Sequence, residues 1–406
     1  MISKQSSTSS PAAGPLDLLG LHERLDLATR LEHRLVGHVR RPGNAEAVRR
    51  QVAYVRSESL VPDDVDTELR DAMTRDCAVD MLVHVGPRET GGSLVATLLD
   101  GGPAGPGLTV TDAERALLEQ WRDGGVLGYF MVTDLVDEHA VLHNLEDDLE
   151  YRVYTGRSEI RSTALAPGLP LSVRLLPVGA AWIFAATPLV FSPGSVVGVV
   201  RGVVGLLTST PCPAYRNPRT LARARELVAD HHRAFRDLFG DVLVQGTASH
   251  VMDCYLRFKA RIGAPAEEFA LFPSLRDERW LPDDAADPDD EAFALVHHPV
   301  KGLRLLDWYA QLCEVHTAPF ASWKPGRLAQ VLADPDVPSW VLGLLAERHP
   351  DHLDALYGAA TERQDFVWAR DGAALLHDRE TAAGRDEPGI VMASSIMGRV
   401  LPPGEP

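Results

Sequence analysis

From Leu16 to Arg41 apolar side chains recur at helical spacing, at Leu18, Leu21, Leu25, Leu31 and Leu35, which predicts a first helix. A second is predicted over Ala45 to Ser57. A third runs from Pro62 to about Met81, with Asp63, Asp64 and Asp66 in its first turn, where the helix dipole favours acids. The Gly/Pro-rich stretch from Asp100 to Gly107 reads as a linker. Thr111 and Glu114 then have capping-box spacing ahead of Ala116, Leu117, Leu118 and Trp121, and Gly124-Gly125 closes that helix.

The period changes from Gly128 to about Leu207. Tyr129 to Val132, Tyr151 to Tyr154, Leu171 to Leu175 and Trp182 to Phe184 read as strands separated by turn residues, the pattern of a small antiparallel sheet or barrel. The run from Leu175 to Val200 carries no charge and is long enough to raise a membrane span, but Pro177, Pro188 and Pro193 interrupt it. Short buried strands account for it better, and no membrane partner is expected.

Helical pattern returns at Pro218 to Phe239 and at Thr247 to Ile262. After an acidic stretch it resumes over Leu303 to Val315, Pro325 to Ala333, Ser339 to Arg348 and Asp351 to Ala360. Phe366-Val367-Trp368 and Ile390-Val391-Met392 read as short strands. The predicted class is α+β: a helical N-terminal region, a central small antiparallel β-barrel and a helical C-terminal region. The expected divisions are a disordered leader over 1–15, helices over 16–125, the barrel over 126–210, helices over 211–280, an acidic linker over 281–292, a mostly helical region over 293–400 and a loose tail over 401–406.

Composition narrows the function classes. Lys and Arg number 40 against 57 Asp and Glu, a net charge of −17, and such a field repels phosphate backbones at long range. Nucleic-acid binding by the whole surface is therefore disfavoured. The four cysteines, Cys77, Cys212, Cys254 and Cys313, are scattered without C-x-x-C spacing, and the Ser/Pro/Ala-rich start has no apolar secretory core. A cytoplasmic protein without a disulfide framework is expected.

The middle of the chain resembles a family of bacterial proteins of unknown function that often carry a C-terminal SEC-C metal-binding motif. The likeness spans roughly residues 80–191. It rests on the capped helix Leu117 to Trp121, the strand start Gly128-Tyr129-Phe130 and the polar stretch His143 to Tyr154. Pro167-Gly168, Arg174-Leu175-Leu176-Pro177-Val178-Gly179 and Trp182-Ile183-Phe184 complete it. A weaker echo covers Val331 to Pro335 and Arg348 to Pro350. The resemblance implies architecture. The zinc-binding, Cys-rich tail of such proteins has no counterpart here, because no cysteine follows Cys313.

Four chemistries can be weighed. Zinc asks for three or four converging N or S ligands. Cys313-x-x-His316 and His349-x-x-His352 each place two on one turn, and Asp230, His231 and His232 with His297-His298 add neighbours. A metal-dependent hydrolase built from Asp230, His231, His232, Cys313 and His316 is the alternative reading, with a divalent metal as its cofactor. No cofactor is otherwise predicted. Asp287-x-Asp289-x-Glu291 starts like a calcium loop but has Ala292 and His298 at its sixth and twelfth positions, where Gly and Glu belong. No G-x-S-x-G elbow, phosphate loop or G-x-G-x-x-G occurs. Finally Arg216, Arg219, Arg223, Arg225, Arg233 and Arg236 cluster near Glu226, Asp230 and Asp237, a local basic face suited to an acidic partner. That partner is expected to be an acidic protein, or the chain's own acidic linker, in preference to nucleic acid. The reading is a non-enzymatic interaction or regulatory protein, with nucleic-acid binding through the arginine face as a further alternative.

Overall fold

The computed structural model describes residues 16, 18–57, 67–86, 92–101, 108–136, 138–154, 165–185, 188–209, 212–263, 293–306, 309–317, 321–334, 337–382, 388–390, 392 and 394–396. The leader 1–15, the start of the third predicted helix and the acidic linker with its Asp287-to-Glu291 motif lie outside these residues. The chain divides into two units, Met1–Val203 and Val204–Pro406.

The first unit opens with helices α1 (Leu21–Val39), α2 (Ala45–Ser57), α3 (Thr67–His84), α4 (Leu94–Leu99) and α5 (Asp112–Gly124). The capping box of α5 forms as its spacing predicts: Thr111 Oγ1 accepts from Glu114 N, and the Glu114 carboxylate accepts from Thr111 N at 2.8 Å. Strands β1 (Val126–Val136), β2 (His139–Asn144), β3 (Glu150–Tyr154), β4 (Pro170–Val178) and β5 (Ala181–Phe184) follow, with β6 (Leu189–Val190) as an added edge. The order β1-β2-β3-β5-β4 closes back on β1, giving a five-stranded barrel. Every pairing is antiparallel except β3 with β5, which is parallel. The class is α+β, with the barrel between two helical regions.

Strand β4 explains how helices and barrel hold together. Leu171, Val173 and Leu175 point into the barrel beside Phe130, Leu142 and Val153, while Leu176 and Val178 join Leu31, Leu35, Leu117 and Trp121 in the helical core. A strand buried on both faces reads as a continuous apolar run, and "LLPV" is one. Trp121 Nε1 donates to the Pro177 carbonyl at 3.0 Å. On the helical side of β4 the buried Arg174 donates from Nε to both carboxylate oxygens of Asp80, at 2.9 and 3.0 Å. The turn after β2 buries Asn144, Glu146 and Asp147: Asn144 Oδ1 accepts from the amides of Glu146 and Asp147, and Asp147 accepts from Tyr151 Oη at 2.7 Å, while Asn144 Nδ2 is buried without a partner among the described residues.

Three expectations are corrected. The Val-rich run does not continue as strands: α6 (Val196–Ser209) is a helix that buries Val199, Val203 and Leu207 on one face, at a spacing of four. Charge-free composition does not separate a buried strand from a helix, and here length decides. No helix among the described residues is long and apolar enough to cross a membrane. The second unit also contains a sheet that the helical reading missed, β7 (Leu243–Gly246), β8 (Phe293–His298) and β9 (Gly302–Leu306), all antiparallel. The helix predicted from Leu303 therefore starts only at Tyr309. Phe366 and Val367 are irregular, and Trp368 begins a helix in place of the expected strand.

Around that sheet stand α7 (Pro218–Phe239), α8 (Ala248–Ile262), α9 (Tyr309–His316), α10 (Lys324–Ala333), α11 (Ser339–Arg348), α12 (Leu353–Ala360) and α13 (Trp368–Ala382). One face of the sheet packs Phe293, Leu295 and Leu303 against Phe235, Val251, Tyr255 and Phe258. The other packs Ala294, Val296 and Leu306 against α9 and α11. The two-residue alternation of β8 supplies both cores.

Candidate functional site

Helix α7 carries most of the residues that the sequence singles out, and its start and end are locally encoded. Asn217 caps its first turn, accepting from Arg219 N at 3.0 Å, and Gly240 ends it at φ +76°, a left-handed conformation that glycine takes without a Cβ clash. Ala224, Leu227, Val228, His231 and Phe235 form its buried face.

On that inner side the histidines gather. The ring of His232 lies 5.4 Å from that of His297 on β8, and His297 lies 5.7 Å from both Phe235 and Phe258. His231 meets Phe258 edge-on at 6.1 Å. His297 Nδ1 stands 3.1 Å from the His298 carbonyl. A carbonyl only accepts, so Nδ1 carries the proton and Nε2 keeps a lone pair. Burial, reinforced by His232, pushes the His297 pKa down to about 3, so the ring is neutral at ordinary pH. His232 is also lowered, first by burial and then by Arg236, although its Nδ1 donates to the His297 carbonyl at 3.0 Å. A hole of about 20 Å³ lies beside His231, His297, Tyr255 and Phe258. That holds one water and no substrate.

The remaining metal candidates are occupied elsewhere. His316 donates from Nδ1 to the Leu312 carbonyl at 2.8 Å and accepts from the Tyr357 hydroxyl at Nε2, at 2.9 Å. Both ring nitrogens are thereby used, and burial holds the ring neutral. Burial raises the Cys313 thiol, against a bond from Tyr309, so the thiolate that a metal binds is disfavoured there. Asp230 is exposed and paired with Arg233 on its own helix. Among the described residues no three His, Cys, Asp or Glu side chains converge as a metal site.

Five of the six arginines lie on the outer side of α7, and Arg216 lies in the 3-10 turn Cys212–Arg216 before it. All are exposed. Arg223 pairs with Glu226 and Arg233 with Asp230, both one turn apart, so that stripe is largely neutralised. Arg225 and Arg236 lie on a second stripe with Ala229 and His232, at steps of four, three and four residues. Their Cα positions are about 16 Å apart along the axis. Among the described residues neither they nor Arg219 has a carboxylate within ion-pair distance.

No protein-family model matches the chain, and no curated protein or solved structure matches it either.

Proposed function

We propose that this is a non-enzymatic interaction or regulatory protein, and that the Arg225–Arg236 stripe of α7 receives an acidic protein segment. The observation that carries the reading is the pair of exposed arginines, without carboxylate partners among the described residues, that flank Ala229 on one helix face in a chain of net charge −17. Exposed cations in such a chain attract acidic segments within a Debye length, and Ala229 between them lets an extended backbone approach. The chain's own stretch from Asp283 to Glu291 holds six acids in nine residues and fits the same chemistry. Membership of the SEC-C-associated group and a cytoplasmic setting belong to the same proposal. Three cations without a carboxylate partner among the described residues, Arg219, Arg225 and Arg236, are too few for a nucleic-acid face, which tracks a backbone with many more. The saturated His316 and the paired Asp230 do not favour the hydrolase reading.

The test uses the full chain with the six acids of 283–291 replaced by their amides, and a labelled peptide of residues 281–292. Binding that weakens with salt and falls at least about tenfold in Arg225→Glu/Arg236→Glu supports the reading. Equal binding by that double variant, or by Arg223→Glu/Arg233→Glu to the same reduced degree, sinks it.

A further inference from the structure

A second place in the C-terminal unit is built differently from the arginine stripe and does not depend on it. Helices α9 and α10 leave a groove of about 180 Å³ between them, lined by Leu312, Val315, Val331 and Val337. None of these four residues is more than 9 % exposed, so the floor of the groove is made of core side chains, while Gln311, Arg327, Gln330 and Asp334 around it are exposed. An apolar cavity of about 150 Å³ accepts benzene, which sets the scale of what fits.

The mouth is polar, with a cation at one end. Arg327 stands over it and donates from Nη2 to Gln311 Oε1 at 2.9 Å and from Nη1 to Gln330 Oε1 at 3.0 Å. Both partners are neutral. Two of the five guanidinium N–H groups are used and three stay open, and no carboxylate among the described residues pairs with Arg327. The two glutamines hold the planar fork as a carboxylate would, without neutralising it. Asp334 is the acid at the rim, two turns further along α10, about 10 Å by helix rise. A carboxylate head is thus drawn to one end of the groove and repelled from the other.

The far wall is fixed by another arginine. Arg379 of α13 donates to the carbonyls of Val331 at 3.1 Å, Leu332 at 3.0 Å and Val337 at 2.5 Å, and also to that of Asp334. Three of those residues line the groove. Walls clamped in this way do not collapse onto an empty cavity, and a ligand need not order them on binding.

We infer that the α9–α10 groove binds a small aliphatic monocarboxylate, its head on the open side of the Arg327 fork and a tail of about six carbons on Leu312, Val315, Val331 and Val337. An arginine held in register beside a preformed, apolar-floored slot is the arrangement that recognises such a molecule. The site lies on different helices from the arginine stripe and takes a different ligand, so either can hold without the other.

The experiment is calorimetry or ligand-observed NMR on the full chain with sodium hexanoate, hexylamine and hexanol. Hexanoate is expected to bind at least about tenfold more tightly than the amine and the alcohol. Gln330→Glu gives Arg327 a carboxylate within the chain and should reduce hexanoate binding at least about tenfold with the fold intact. Val331→Trp fills the slot and should abolish it; Arg327→Leu, outside the core, should match Gln330→Glu if Val331→Trp fails to fold. Hexylamine binding as tightly as hexanoate, no effect of Gln330→Glu and Arg327→Leu, or no saturation below about 10 mM would overturn the inference.

Discussion

Arg379 Nε donates to the main-chain carbonyl of Leu332 at 3.0 Å, although 47 positions separate the two residues. The last turn of a helix leaves its carbonyls without intrahelical partners, and here α13 supplies them to α10 from outside. Because the fork reaches four carbonyls at once, its planar geometry matters as much as its charge. Arg379→Lys keeps the charge and loses most of the bonds. It should destabilise the C-terminal unit by about 2 kcal/mol, and Arg379→Ala by more. Urea unfolding of the full chain checks this; a midpoint unchanged in both variants contradicts the clamp.

In the first unit the buried Arg174–Asp80 pair predicts strong non-additivity. Arg174→Met or Asp80→Leu alone strands a buried charge and should cost about 3–5 kcal/mol. The double variant replaces both charges by apolar groups and should recover most of that loss. A double-mutant cycle measures the coupling directly, and additive losses would show that the two groups act separately.

Acid should loosen the C-terminal unit through His297. Its folded pKa is near 3, against an ordinary value of 6.5, so between those limits the unfolded chain binds a proton that the folded chain does not. Stability is therefore full above pH 6.5 and falls as pH is lowered towards 3, by up to about 1.4 kcal/mol per unit. His297→Gln removes this group, and its stability should change less steeply over that range. Equal slopes for the two proteins would place the acid sensitivity elsewhere.

The barrel offers a test of close packing at Gly128. A Cβ there would lie 3.1 Å from both Asn144 Nδ2 and Glu146 Oε1. Neither neighbour can withdraw freely, because Asn144 Oδ1 holds the amides of Glu146 and Asp147, and Glu146 Oε1 accepts from Tyr129 N at 3.1 Å. Gly128→Ala should cost about 1–3 kcal/mol. Thermal unfolding reads it, and a variant as stable as the parent would mean that this turn yields.

Much of the fold is legible along the chain. The range of α7, Pro218–Phe239, and that of α11, Ser339–Arg348, match their periodicity end to end, and Thr111 caps α5 as its spacing requires. Four barrel strands stand where aromatic and β-branched residues alternate. The sheet of the second unit was hidden because Leu243–Gly246 is short and finds its partner, Phe293–Val296, only beyond α8 and the segment after it. Four residues carry too little periodicity to announce a strand by themselves.

The candidate sites were less legible. The sequence supplied the arginines of α7 and the scattered histidines, but not Arg327 with its two glutamines, since Gln311 is on a different helix. Nor could it show that His316 has both nitrogens engaged, one of them by Tyr357, 41 positions away.

Helix limits, caps and the alternation of strands are decided by hydrogen bonds and side-chain faces within a few residues, so the order of residues alone determined them. Whether an arginine is paired or open, and whether an imidazole is saturated or keeps a lone pair, depends on groups brought close from far along the chain. Only the tertiary structure decided those, because a partner's chemistry acts over a few ångströms in space and not over any fixed distance in sequence.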